Sequence, residues 1–138
     1  MPVKILVVDD EARMRRVLQM MLEENGHQVD MAGDGEKALE RIKQANLDLV
    51  ITDMKMPGKN GLELLRQIRK IDEELPVIVM TAYGTVSTAV EAMRAGAYDY
   101  ILKPFDLDEM KAVVGRALAM QKLLRQSRYL QEELEAKY

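Results

Sequence analysis

At 138 residues with a formal charge of −3, the chain is long enough for one compact core and too short for two comfortable domains. Its apolar share of 48% and charged share of 31% suit a soluble globular protein, and the small net acidity gives no long-range attraction for nucleic acid. The absence of cysteine excludes disulfides, thiolate nucleophiles and cysteine-ligated zinc. No secretory signal opens the chain and no apolar run approaches the roughly 20 residues that span a bilayer, so a cytoplasmic protein that binds no membrane is expected.

Short apolar runs alternate with helical patterns from residue 4 to about residue 118. KILVV at residues 4–8 has the length and branching of a buried strand. Met14, Val17, Leu18, Met21 and Leu22 then repeat at helical spacing, with Gly26 where a C-cap glycine would sit. Residues 29–32 form a weaker strand. Asp34 is placed to N-cap a second helix whose apolar face is Ala38, Leu39, Ile42 and Ala45.

LDLVIT at residues 47–52 reads as a third strand that delivers Asp53 at its carboxyl end. Pro57 and Gly58 punctuate a loop before a helix bearing Leu64, Leu65, Ile68 and Ile71. PVIVM at 76–80 is the fourth strand and runs into Thr81. Val86, Ala89, Val90 and Met93 mark a fourth helix closed by Gly96, and residues 98–102 form a fifth strand before Lys103 and Pro104. Strands alternating with helices predict an α/β fold with a parallel sheet covered on both faces.

In an open α/β sheet, ligands bind beyond the carboxyl ends of the strands. Asp9 and Asp10, Asp53, Thr81 and Lys103 all fall at such ends. A single Asp there is ordinarily a turn or helix cap, and Thr81 or Lys103 alone carries no meaning. Their joint occurrence reverses that reading. Three close carboxylates raise one another's pKa unless a cation sits among them, and an oxygen-only ligand set suits a hard ion such as magnesium. Asp53 could then act as a nucleophile that forms an aspartyl phosphate, with Lys103 and the metal neutralising the transferring group. Pro104 is compatible with a trans turn or with a cis bond that would aim Lys103 back across the sheet edge.

These residues fall in the segments VVDDE (7–11), ITDMKMPGKNG (51–61), MTAYG (80–84) and GAYDYILKPF (96–105). Together they resemble the CheY-like receiver domain of two-component response regulators, over residues 3 to about 118. The resemblance implies a flavodoxin-like (βα)5 fold with strand order 2-1-3-4-5, phosphorylated by a sensor histidine kinase. By position, Asp53 resembles the phosphoacceptor and Asp10 the direct metal ligand. Asp9 matches the acid that acts partly through water, and Lys55 the residue that lends a backbone carbonyl to the ion. Thr81 is similar to the switch hydroxyl, Lys103 to the conserved-role lysine with a cis bond to Pro104, and Tyr100 to the aromatic that turns inward on activation. Lys55 and Tyr83 flank the site and could screen an acyl phosphate from water. The implied output is a reshaped surface of the fourth helix, fifth strand and last helix.

From Leu107 the pattern stays helical to the last residue, with no stop signal, as expected of a piece of a longer chain. Met110, Val114, Ala117 and Leu118 would pack on the sheet. Met120, Leu123, Ser127, Leu130 and Leu134 then fall at steps of three and four, a coiled-coil seam of about two heptads that predicts a homodimer. The expected division is a receiver over 1–120 and a helical linker over 121–138. TAYGTVSTAVEAMRAGAYDYILKPF and RYLQEELEAKY are similar to NtrC-type regulators, which carry an ATPase module acting on sigma-54 polymerase and a DNA-binding domain. No G-x-x-x-x-G-K-[ST] loop and no basic recognition helix occurs here. Transcription is therefore expected of a longer parent, and the chain itself is expected to be no enzyme beyond its own phosphorylation and dephosphorylation.

Other readings fare worse. A flavodoxin-like flavin protein needs a phosphate-binding turn after strand one, where Asp9, Asp10 and Glu11 would repel it. An aspartyl-phosphate phosphatase needs a second acid two residues after its nucleophile, and that position is Lys55. Gly33-Asp34-Gly35 reads as a helix-entry turn, and His27 as a surface residue past a helix cap rather than a phosphodonor.

Overall fold

The computed structural model describes residues 3–82 and 86–137; Tyr83 and the side chain of Val86 lie outside it. Among the described residues five strands and five helices alternate: β1 (Lys4–Val8), α1 (Ala12–Glu24), β2 (Gln28–Ala32), α2 (Gly35–Gln44), β3 (Leu49–Asp53), α3 (Gly61–Ile71), β4 (Val77–Ala82), α4 (Val86–Arg94), β5 (Asp99–Lys103) and α5 (Leu107–Lys137). All neighbouring strands are parallel and their order is β2-β1-β3-β4-β5. The order reverses between β1 and β3, which places a ligand crevice beside Asp9 and Asp53.

The period-two alternation of each strand divides the core in two. Leu6, Val8, Val50, Val77 and Val79 point toward α2, α3 and α4, where Ala38, Leu64, Leu65, Ile68 and Ala92 meet them. Ile5, Val7, Leu49, Ile51, Ile78 and Met80 point to the opposite face, covered by Leu18 and Leu22 of α1 and by Met110, Val113, Val114 and Ala117 of α5. Because both faces are covered, the inner strands are apolar almost throughout, as parallel sheets require.

The helix ends follow their local signals. Asp34 and Asn60 cap α2 and α3, accepting backbone N–H bonds from Lys37 and Glu63 at 2.8 and 2.9 Å. After α1 the N–H groups of Gly26 and His27 return to the carbonyls of Glu23 and Leu22, and after α4 those of Gly96 and Ala97 return to Met93 and Ala92. This closure needs a left-handed residue, and Gly26 and Gly96 supply it at φ +84° and +104°.

Several apolar residues assigned to helix faces lie outside. Val17, Ile71, Val90 and Met93 are exposed, and on α4 it is Ala89 and Ala92 that face the sheet. The small alanines let α4 lie close to β4 and β5, which turns its larger side chains outward. The third strand begins at Leu49 rather than residue 47; just before it, Asp48 donates its N–H to the Lys4 carbonyl at 2.8 Å and accepts the Lys4 N–H on its carboxylate at 2.9 Å. The fifth strand extends through Lys103, paired in register with Ala82.

Helix α5 runs unbroken for 31 residues, about 46 Å at 1.5 Å per residue. It starts at the carboxyl edge of the sheet and continues past the amino edge, where it remains tied to the body. Arg125 Nη1 reaches Asp48 Oδ1 at 2.6 Å and Gln121 Nε2 donates to the same oxygen at 3.3 Å. One turn further, Arg128 Nη2 meets Glu74 Oε2 at 2.6 Å. Leu123, Leu130 and Leu134 are exposed.

Candidate functional site

The acidic residues arrive at the carboxyl edge because β1 and β3 end side by side. Asp9 follows β1 and is fully buried, whereas Asp10 is exposed. The Asp9 backbone is held from two sides. Its N–H donates to the Ala32 carbonyl at 3.2 Å, and its own carbonyl accepts a bond from Arg15 Nη1 at 2.6 Å. Asp9 Oδ1 accepts the Glu11 N–H at 2.9 Å, an Asx turn that starts α1 and leaves Oδ2 facing inward.

Asp53 closes β3 and is 8% exposed. Its Oδ1 accepts the Met54 N–H at 2.9 Å, so Oδ2 is the outward-facing oxygen. Lys103, from the far edge strand, brings its Nζ to 3.2 Å from Asp9 Oδ2 and 3.3 Å from Asp53 Oδ2. One ammonium thus bridges two buried carboxylates, and charge-assisted pairs of this kind are the strong ones. Thr81 is buried on β4, the strand between, in register with Leu102 and one residue past Met80, the partner of Asp53. The Lys103-Pro104 peptide bond is cis.

Carboxylate oxygens of Asp9, Asp10 and Asp53 all lie within 4.8 Å of one another. Lys103 compensates only part of their charge. Burial pushes the Asp53 carboxyl above its usual range and the nearby Asp9 charge adds to the rise, while Lys103 opposes it. Burial works against a charged Lys103, yet Asp53 and Asp9 together outweigh it and hold its pKa above the usual lysine value. The site is therefore short of positive charge. A ring of hard oxygen donors with one exposed member is the donor set a small divalent cation takes, open to solvent on the Asp10 side.

Lys55 is exposed and shares a cleft of about 510 Å³ with Asp10, Met56, Pro57, Asn60 and Glu91. Tyr100 is not brought to the acids. It lies on β5 opposite Val79, 41% exposed, on the outer surface that also presents Leu102, Val90 and Met93. Tyr83 falls outside the described residues. Two contributors were given no role in the sequence, although Gly61 closes the segment ITDMKMPGKNG. Arg15 grips Asp9 from the next turn of α1, and Gly61 packs against the Asp53–Met54 peptide.

Residues 5–115 match the family described as the response regulator receiver domain, and the chain belongs to that family. It is 41% identical to regulatory protein AtoC of Escherichia coli over 135 residues, covering 98% of this chain and 29% of AtoC. It is 45% identical over 115 residues to the DNA-binding transcriptional regulator NtrC of Bradyrhizobium, covering 83% of this chain and 24% of that protein. The chain thus spans less than a third of these curated relatives. Among solved structures, NtrX from Brucella abortus superposes with a TM-score of 0.89 at 41% identity, covering 94% of this chain and 30% of NtrX. A response regulator receiver domain protein from Clostridium thermocellum superposes at 0.84 with 35% identity, covering 88% of this chain and 98% of that one. The expected fold and strand order are borne out. Among the described residues, no helix is long and apolar enough to cross a membrane.

Proposed function

We propose that this receiver domain accepts a phosphoryl group on Asp53 Oδ2, donated by the phosphohistidine of a sensor kinase. The observation that carries the reading is the single Lys103 ammonium set between Asp53 and Asp9 at 3.3 and 3.2 Å, with Asp10 completing an acid cluster. In the transfer, a carboxylate oxygen of Asp53 bonds to phosphorus as the phosphorus–nitrogen bond breaks, and the histidine leaves as imidazole after taking up a proton. Lys103 follows the developing charge on the equatorial oxygens. Asp9, Asp10, Asp53 and the Lys55 backbone carbonyl would hold magnesium. When bound, that ion neutralises the acids and the phosphoryl oxygens.

The incoming group adds roughly 1.5 to 2 negative charges and three strong acceptors. Thr81 is the hydroxyl placed to answer it, and its movement vacates space that Tyr100 can enter from its outer position. The surface of α4, β5 and α5 is the output face, and the seam of Met120, Leu123, Ser127, Leu130 and Leu134 pairs with a second copy. Residues 1–120 act as the receiver and 121–138 as the helical link to an output domain. The chain's likeness to AtoC and NtrC supports a cytoplasmic parent that regulates transcription, with sigma-54 polymerase as its target.

The test is intact mass measurement after incubation with magnesium and a small acyl phosphate donor. One phosphoryl group is expected on the wild-type chain and none on Asp53→Asn; a gain that survives the substitution rejects Asp53. For the dimer, sedimentation of the wild type against Leu130→Lys/Leu134→Lys should separate dimer from monomer, and identical species would reject the seam.

A further inference from the structure

Gly61 is the first residue of α3 and is buried, although it has no positive φ that would demand glycine. Its requirement is space. A Cβ built there would collide with the Asp53 carbonyl oxygen and lie 2.9 Å from Met54 Cα and 3.2 Å from the Asp53 carbonyl carbon. Those obstacles are backbone, so no side-chain rotation relieves them.

The peptide that Gly61 presses on is the one that orients the Asp53 carboxylate. The Met54 N–H lies 2.9 Å from Asp53 Oδ1 and 2.9 Å from the Met80 carbonyl oxygen. On the other side of Met54, its carbonyl accepts the Gly61 N–H, also at 2.9 Å. The Asp53–Met54 peptide is therefore clamped between β4 and the start of α3, and the carboxylate leans on the clamped N–H.

We propose that Gly61 is a positioning residue for phosphorylation: by lacking a side chain, it lets α3 pin the Asp53–Met54 peptide and thereby aims Asp53 Oδ2 at Lys103 and the incoming phosphorus. This rests on the reading of Asp53 as the phosphoacceptor. With alanine at 61, the peptide must retreat from the new methyl, and the carboxylate turns with it. Misplacements of this size in a reacting group cost rate far more than they cost binding.

The experiment compares the wild type with Gly61→Ala and with Gly115→Ala, a control on α5 where a Cβ meets nothing within 4 Å. Phosphorylation by the acyl phosphate donor is timed by intact mass at saturating magnesium, at a temperature where circular dichroism shows each variant folded. Gly61→Ala should lose at least ~10-fold in maximal rate with little change in half-saturating donor concentration, and Gly115→Ala should match the wild type. The Met54 amide resonance of the metal-free protein should also shift in Gly61→Ala. A folded Gly61→Ala protein with the wild-type rate and an unmoved Met54 resonance overturns the proposal, whatever its melting temperature. Should Gly61→Ala fail to fold, two glycines inserted after Gly58 loosen the same clamp, and a wild-type rate there is equally fatal. Phosphorylation persisting in Asp53→Asn defeats the phosphoacceptor reading, whereas the Met54 resonance tests the clamp independently of it.

Discussion

The two edges of the sheet use the same chemistry, carboxylates facing cations, with opposite results. At the carboxyl edge Asp9 and Asp53 are buried around a Lys103 side chain only 21% exposed, and acids outnumber the base. At the amino edge Asp48 and Glu74 meet Arg125 and Arg128, whose side chains are more than half exposed, acid for base. Excess negative charge in a dry setting raises carboxyl pKa values and favours the binding of a cation. Matched charge in a wet setting is a tether of modest strength. The contrast separates a place for chemistry from a fastening for α5.

The largest effect expected from this contrast is at Lys103. Lys103→Met should slow phosphorylation of Asp53 by roughly 10²- to 10³-fold, followed as the rate of mass gain, because it removes the ammonium that bridges Asp53 and Asp9. A rate within a few-fold of the wild type would make the bridge incidental.

A smaller, purely thermodynamic effect concerns Asp53 itself. Its carboxyl titrates above the ordinary range in the folded chain, so through that window the folded state binds more protons than the unfolded one. Stability in the presence of a chelator should therefore fall as pH rises from the usual carboxylate range through the raised one. Asp53→Asn should lack that fall and melt a few degrees higher near neutrality. Parallel melting curves for the two proteins across this range would show that burial does not strain the acid.

At the amino edge Arg125→Ala should cost about 0.5–1 kcal/mol, the value being discounted for the exposure of the guanidinium. Amide exchange over residues 121–137 should quicken while Asp53 phosphorylation keeps its rate. A large stability loss, or a slowed phosphorylation, would join the two edges that the geometry keeps apart. The smallest effect belongs to Arg128→Ala, which should leave the melting temperature unchanged at physiological salt because that ion pair is solvent-screened. A clear drop would promote the pair from surface contact to structural anchor.

Most of the carboxyl edge was legible in the chain. Strand ends can be found from apolar runs, and once the strands are known to be parallel, Asp9, Asp10, Asp53, Thr81 and Lys103 must gather. The glycine closures of α1 and α4 and the Asp34 cap are equally local. The amino edge was not legible, because Arg125 and Asp48 are 77 residues apart and their pairing depends on the path of α5. Apolar identity likewise misplaced Val90 and Met93, since the sheet accepted the alanines of α4 instead. The reach of the helical pattern to the end of the chain was visible, but not that residues 121, 125 and 128 still belong to the body.

By itself, the sequence determined the alternation of strands and helices, the parallel sheet and the acids at its carboxyl edge, because hydrophobic period and turn chemistry are local. Only the tertiary structure decided that one ammonium bridges Asp9 and Asp53, that Tyr100 faces outward, and that the start of α3 presses on the Asp53–Met54 peptide. Those facts depend on distances of a few tenths of an ångström between segments far apart in the chain. Close packing sets such distances, and no pattern along the chain encodes them.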